Sequence, residues 1–185
     1  MGHPHNNPSF KLVYLHVNYN ELNGFTDSDW GSSDPRQSTT GLLAQYNKSI
    51  VLWRSRMQKT IALSTAEAEY FSASEMAVEI IYLRNLIRNM GLPQDDDTPV
   101  YEDNTACIEW GNHIIGGRER AKHIDIRKHF AHEAIKNRHM RLIRVLTDEQ
   151  LANIFTKALP FPQFEKCLMG LMGRKSEGTL SLRRG

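Results

Sequence analysis

Three short acidic motifs stand out in this chain: Thr26-Asp27-Ser28-Asp29-Trp30, Ala66-Glu67-Ala68-Glu69-Tyr70 and Tyr101-Glu102-Asp103-Asn104. Each sets a carboxylate where a strand and a helix are expected to meet. Carboxylates gathered from distant segments repel one another, and a cation between them relieves that cost. Hard oxygen donors suit Mg²⁺. Two such ions held ~3.5–4 Å apart cut phosphodiesters, one activating water and one steadying the leaving oxygen. Asp27, Glu69 and Asp103 are the candidate trio. Some neighbouring acids have simpler local tasks. Glu67 stands three residues after Ser64, as in a capping box. Asp29 suits a turn. Asp103-Asn104 has a helix cap as its lesser alternative. Glu69 has no such local task.

The elements that must position these acids can be read from pattern and punctuation. Leu22 to Thr26 reads as a strand ending at Asp27, and Gly31 to Ser38 as a loop. Thr39 to Tyr46 and Ser49 to Trp53 read as strands joined by a tight turn at Asn47-Lys48. Ser64 opens a long helix, whose apolar face is Phe71, Met76, Ala77, Ile80, Leu83, Ile87 and Met90; Gly91 and Pro93 end it. Pro99 to Glu102 follows as a strand, Thr105 to Trp110 as a helix, and Asn112 to Arg120 as a Gly-rich loop. Lys122 to Asn137 has Ile126, Phe130 and Ala134 on one helical face. Arg141 to Leu146 reads as a strand. A helix from Thr147 or Asp148 to Leu159 and another from Pro162 to Met172 complete the chain. Strands separated by helices pair in parallel. The order therefore predicts an α/β fold: a five-stranded mixed sheet, three strands antiparallel and two parallel, flanked by helices. The expected division is a partly disordered N-terminal extension over 1–20, a main domain over 21–160, a C-terminal helix over 161–173 and a tail over 174–185.

The 185 residues, 40% hydrophobic, suffice for one ordinary core, and the formal net charge of +2 leaves no global basic footprint. Contact with a polyanion must come from local patches. Arg54, Arg56 and Lys59 form one; Lys122, His123, Arg127 and Lys128 form another. Trp30 and Trp53 are expected in the core. Cys107 and Cys167 give neither a disulfide framework nor zinc spacing. No apolar run approaches the ~20 residues of a spanning helix, and the start lacks the apolar stretch of a secretory leader.

Seven collinear stretches carry a resemblance. They are Gly24-Phe25-Thr26-Asp27-Ser28-Asp29-Trp30, Asp34-Pro35-Arg36-Gln37-Ser38-Thr39-Thr40-Gly41, Trp53-Arg54-Ser55-Arg56-Met57-Gln58-Lys59-Thr60, Leu63-Ser64-Thr65-Ala66-Glu67-Ala68-Glu69-Tyr70, Glu102-Asp103-Asn104, Lys122-His123-Ile124-Asp125-Ile126-Arg127 and Leu151-Ala152-Asn153-Ile154-Phe155-Thr156-Lys157-Ala158-Leu159. From about Glu21 to Gly173 the chain resembles the ribonuclease H domain of copia-type LTR retrotransposon polyproteins.

The resemblance implies a ribonuclease H-like fold. It implies hydrolysis of the RNA strand of RNA·DNA hybrids during reverse transcription, with two Mg²⁺ ions for which Mn²⁺ can substitute. It assigns Asp27, Glu69 and Asp103 to the metals. With a hybrid as substrate, the basic clusters make Arg54, Arg56, Lys59, Lys122, His123 and Arg127, together with Asn104, the expected nucleic-acid contacts. The implied partners are the hybrid and the reverse transcriptase domain of the same polyprotein, with no membrane and no disulfide partner. The implied location is a cytoplasmic virus-like particle, with the nucleus as the alternative. The chain carries no protease, polymerase or integrase motif, as expected of a carboxy-terminal piece.

One position departs from the pattern. The family has Leu-Ala-Asp-Ile where this chain has Leu151-Ala152-Asn153-Ile154, so the fourth catalytic position is an amide. Asn153 keeps a carbonyl oxygen but loses a full charge, which predicts weaker metal binding. A non-catalytic hybrid-binding or scaffolding domain is the alternative reading. Asp148, more than a helical turn away, is a poor substitute. An integrase-like DNA nuclease fits less well, because Glu69 precedes Asp103.

Overall fold

The structure is a computed structural model and describes residues 19–31, 37–112 and 130–172. Strands β1 (Leu22–Asp29), β2 (Thr39–Tyr46) and β3 (Ser49–Met57) form an antiparallel meander. β4 (Thr98–Glu102) lies parallel to β1, and β5 (Met140–Arg144) parallel to β4, giving the order β3-β2-β1-β4-β5. Helices α1 (Thr65–Asn89) and α2 (Thr105–Asn112), a helix α3 described over 130–136, a 3₁₀ helix (Leu151–Phe155) and α4 (Phe161–Leu171) complete the fold. This is the mixed sheet expected from the element order.

Local chemistry explains most of the boundaries. Asn47 and Lys48 both have positive φ (52° and 63°), as a two-residue hairpin turn requires. Ser64 Oγ accepts the Glu67 N–H at 3.2 Å, and Glu67 Oε2 reaches back to the Leu63 N–H at 2.7 Å. Glu67 is thus a capping residue, bonded one position earlier than in the usual reciprocal box. At the other end Gly91 takes φ +82°, its N–H bonding the Arg88 carbonyl while the Leu92 N–H bonds Ile87. That is the paired bonding of a Schellman stop.

Side chains alternate across the sheet, so each strand feeds two cores. On one face Leu42, Ala44, Val100, Met140 and Leu142 meet Met76, Ile80, Leu83 and Ile87 of α1. On the other, Phe25, Leu43 and Ile50 meet Ala152 and Leu171, with Phe25 stacked on Tyr101.

Several expectations need correction. β1 continues past Asp27 to Asp29, because pairing as far as Asp29↔Thr39 outweighs the poor strand propensity of Asp and Ser. Likewise β3 runs on to Met57, paired with Thr39, whereas β5 stops at Arg144. The helix expected up to Leu159 is a turn followed by the short 3₁₀ helix. Gln150 caps it with its side chain on the Ala152 N–H, and the Thr156 N–H closes back on Asn153. Trp30 and Trp53 are exposed rather than core, at 47% and 65%. Trp53 lies on the edge strand, and Trp30 is tied by Nε1 to the Ala62 carbonyl. The extension before Tyr19, the loop at 32–36, the Gly-rich stretch, most of the basic helix and the tail lie outside the described residues. No described helix is long and apolar enough to cross a membrane.

Candidate metal centre

Asp27, Glu69 and Asp103 come from three separate elements. Asp27 projects from β1, Glu69 stands one turn into α1, and Asp103 follows the last residue of β4. The parallel register Gly24↔Val100 and Phe25↔Tyr101 has one constant offset. The same offset sets Asp27, two residues before the end of β1, level with Asp103, just past the end of β4. α1 lies across this seam, and one carboxylate oxygen from each acid falls within 4.8 Å of the others.

Two of the three acids are buried, Asp27 at 1% exposure and Glu69 at 5%, and Asp103 is half-buried. Burial, above all, raises both carboxyls above the ordinary carboxylate range. For Glu69 the charges of Glu102, Asp27 and Asp103 push further in the same direction. For Asp27 the Lys157 ammonium and the Thr156 hydroxyl pull the other way without cancelling burial. A site that disfavours its own negative charge is one a cation would stabilise. Glu69 Oε2 and Asn153 Oδ1 are buried acceptors with no partner among the described atoms. An all-oxygen donor set with orphaned buried acceptors fits a hard divalent cation.

A second set of residues holds this cluster in place, and the sequence reading gave it no roles. Gln150, fully buried, donates from Nε2 to the carbonyls of Thr26 (2.9 Å) and Tyr101 (3.1 Å). It therefore splints β1 to β4 next to the acids and joins both to the 3₁₀ helix. Thr156 Oγ1 bonds Asp27 Oδ2 and also lies 3.1 Å from the Asn153 carbonyl. It has a single proton, and the carboxylate is the stronger acceptor. Lys157 Nζ lies 3.6 Å from the same Oδ2. Glu102, fully buried, accepts the Asn104 N–H at 2.9 Å, which fixes the turn carrying Asp103. Thr156 and Lys157 were visible as part of a motif, three and four residues beyond Asn153. Nothing local marked them as neighbours of Asp27.

Asn153 is fully buried, and its Nδ2 donates to the Thr147 carbonyl at 2.8 Å. The amide therefore also supports the chain entering the 3₁₀ helix. Asp148 is bonded to Lys166 of α4 at 2.8 Å.

Four of the expected nucleic-acid residues, Arg54, Arg56, Lys59 and Asn104, lie among the described residues. Arg54 pairs with Glu79 at 2.5 Å and Arg56 with Glu75 at 2.7 Å, so both guanidiniums are engaged by α1. Lys59 is exposed. Asn104 uses Oδ1 to cap α2 at the Cys107 N–H, 3.0 Å away. Lys122, His123 and Arg127 lie outside the described residues.

No family model matches the sequence. The chain is 36% identical over 147 residues to the retrovirus-related Pol polyprotein from transposon TNT 1-94 of Nicotiana tabacum, covering 79% of this chain and 11% of that one. It is 30% identical over 160 residues to the corresponding polyprotein from transposon RE1 of Arabidopsis thaliana, covering 85% and 11%. The chain thus spans about a tenth of the length of these relatives. Among solved structures it is similar to LC11-RNase H1, isolated from compost by a metagenomic approach, with TM-score 0.56, 11% identity, and 75% and 94% of the two chains covered. The N-terminal RNase H domain of a Mycobacterium tuberculosis protein gives TM-score 0.52 at 10% identity, with 75% and 91% covered. A structure of LC11-RNase H1 in complex with RNA/DNA hybrid gives TM-score 0.50 at 11% identity, with 74% and 94% covered. At that identity the structures speak for the fold, and the polyproteins for descent. The chain is a ribonuclease H-fold domain homologous to one segment of the retrovirus-related Pol polyproteins of plant transposons.

Proposed function

We propose that this chain is the ribonuclease H domain of a copia-type Pol polyprotein, hydrolysing the RNA strand of RNA·DNA hybrids made by the attached reverse transcriptase. The observation that carries this reading is the convergence of Asp27, Glu69 and Asp103 within 4.8 Å, on this fold, in a chain with these relatives. Asp27, Glu69 and Asp103 would hold two Mg²⁺ ions, which supply an activated water and charge stabilisation at the phosphate.

The chain's own residues prepare that site. Glu102 and Gln150 keep Asp103 and Asp27 level across the β1–β4 seam. Thr156 holds Asp27 Oδ2 in one orientation. Exposed Lys59 meets a phosphate of the hybrid, and Lys122, His123 and Arg127 are assigned the same task. Arg54 and Arg56, engaged with Glu79 and Glu75, contribute chiefly to the β3–α1 contact. Such contacts grip and orient without reading sequence. Selectivity rests on A-like groove shape and 2′-hydroxyls.

A labelled RNA·DNA hybrid incubated with Mg²⁺ or Mn²⁺ tests the reading. Cleavage is expected from the chain and is expected to vanish in Asp27→Asn and Asp103→Asn, both folded by circular dichroism. Wild-type rates in either variant would remove the assignment. Asn153 supports a second reading, a hybrid-binding domain that does not cut, because its amide oxygen stands where the family has an acid and brings no charge to the ions. Tight hybrid binding with no cleavage at high Mn²⁺ would establish that instead.

A further inference from the structure

We infer that Lys157 is a tethered counter-ion of the acidic centre: its ammonium stands beside Asp27 Oδ2 and must withdraw when a divalent cation binds that oxygen. Lys157 thereby sets the metal affinity of the site. The inference rests on the metal-binding part of the function proposed above.

Asp27 is almost wholly buried, whereas the Lys157 side chain is 35% exposed, so one partner is fixed and the other has solvent to move into. The 3.6 Å separation is an ion pair longer than a good hydrogen bond. Thr156 supplies the close contact to the same oxygen. Among the described residues, Lys157 is the cation paired with any member of the trio, and its charge acts on Glu69 as well as on Asp27.

The backbone under Lys157 is anchored. Its N–H bonds the Asn153 carbonyl at 3.3 Å, and the preceding residue packs where Gly41 leaves room. Movement is therefore left to the flexible four-carbon stem. Mg²⁺ sits ~2.0–2.1 Å from its oxygen ligands. An ammonium at the present distance from the same oxygen would face it as a like charge at close range. Binding of one weakens binding of the other.

Mn²⁺ alone, titrated into the whole chain and followed by calorimetry, is the test. Lys157→Met, which keeps the stem and removes the charge, is expected to bind Mn²⁺ about tenfold more tightly. Lys157→Arg is expected to stay within about threefold of wild type. Lys166→Met makes the same change in net charge away from the trio, at the Asp148 pair, and is expected to bind as wild type does. Lys157→Gln, with circular dichroism on all variants, guards against a packing effect of the methionine.

Equal or weaker Mn²⁺ binding by Lys157→Met and Lys157→Gln overturns the inference, as does equal tightening by Lys166→Met. No Mn²⁺ binding by any variant overturns it together with the metal-dependent reading. No nucleic acid is present, so the result is separable from catalysis. A chain that cuts hybrid while Lys157→Met binds Mn²⁺ as wild type refutes the counter-ion alone. A chain whose Lys157→Met tightens but which never cuts refutes the nuclease alone.

Discussion

Gly41→Ala should loosen the acidic centre without altering any acid. Gly41 pairs with Asp27 across β1 and β2, and its Cα faces the 3₁₀ segment. A Cβ there would meet Thr156 Cγ2 at 2.6 Å, the Ala152 carbonyl oxygen at 2.8 Å and Phe155 Cβ at 3.2 Å. The Thr156 methyl could turn away, but that rotation takes Oγ1 off Asp27. The Ala152 oxygen is backbone and has no such freedom, so the 3₁₀ segment must move. Overpacking of this kind costs about 1–3 kcal/mol. At roughly 2–4 °C per kcal/mol for a chain of this size, the melting temperature should fall by about 2–12 °C. The shift carries Thr156 and Lys157 with it, and misplacement of that order lowers hybrid cleavage by about ten- to a hundredfold. Thermal unfolding by circular dichroism and cleavage well below the transition measure the two effects. Gly111→Ala is the control. Its Cβ would meet the side-chain ends Leu142 Cδ1 at 2.7 Å and Ile135 Cδ1 at 3.0 Å, away from the acids, so a stability loss without a rate loss is expected. A Gly41→Ala chain with unchanged melting would refute the close approach of β2 to the 3₁₀ helix. A lower melting temperature with an unchanged rate would refute the hold of Thr156 on the site.

Three further outcomes are expected. The Glu69 carboxyl is raised above its ordinary 4.5 by burial, so above that pH the folded chain binds more protons than the unfolded one and stability falls as pH rises. In chelator, Glu69→Gln should therefore gain on wild type as pH rises above 4.5 and match it well below that pH; a gap independent of pH would contradict this. Arg54→Ala and Arg56→Ala each break a partly exposed pair and should cost about 1 kcal/mol or less, with hybrid affinity by fluorescence anisotropy within about threefold. A tenfold loss of affinity would instead make them phosphate contacts. Asn153→Asp removes the donor to Thr147 and buries a charge, so in chelator it should melt lower, by about 1–3 kcal/mol of stability. Mg²⁺ should restore the melting temperature and lower the metal requirement for cleavage. A loss that Mg²⁺ does not reverse would show that the position does not face the ions.

Much of the site was legible because its parts are local. The Ser64 cap, the Gly91 stop and the positive-φ pair at Asn47-Lys48 are decided within a few residues, so they located α1 and the hairpin before any contact was known. The periodicity of α1 named most of its core face. The acids stood out because each lies in a short acidic motif where a strand and a helix were expected to meet. The errors fall where the outcome depends on segments far apart in sequence. Trp53 looks apolar enough for a core, but β3 is an edge strand with little to cover that position. The stretch from Thr147 to Leu159 looks helical, but Gln150 in it is tied to the Thr26 and Tyr101 carbonyls and Thr156 to Asp27.

The sequence by itself determined the order of elements, the identity of the three acids and the amide at Asn153, because these follow from residue type and short-range spacing. Only the tertiary structure decided that Asp27 and Asp103 stand level, that Gln150 locks their strands together, and that Thr156 and Lys157 share one oxygen of Asp27. Those facts depend on the parallel β1–β4 register and on a glycine in β2 that admits the 3₁₀ helix. The first joins residues 76 positions apart (Gly24 with Val100) and the second residues 115 apart (Gly41 with Thr156).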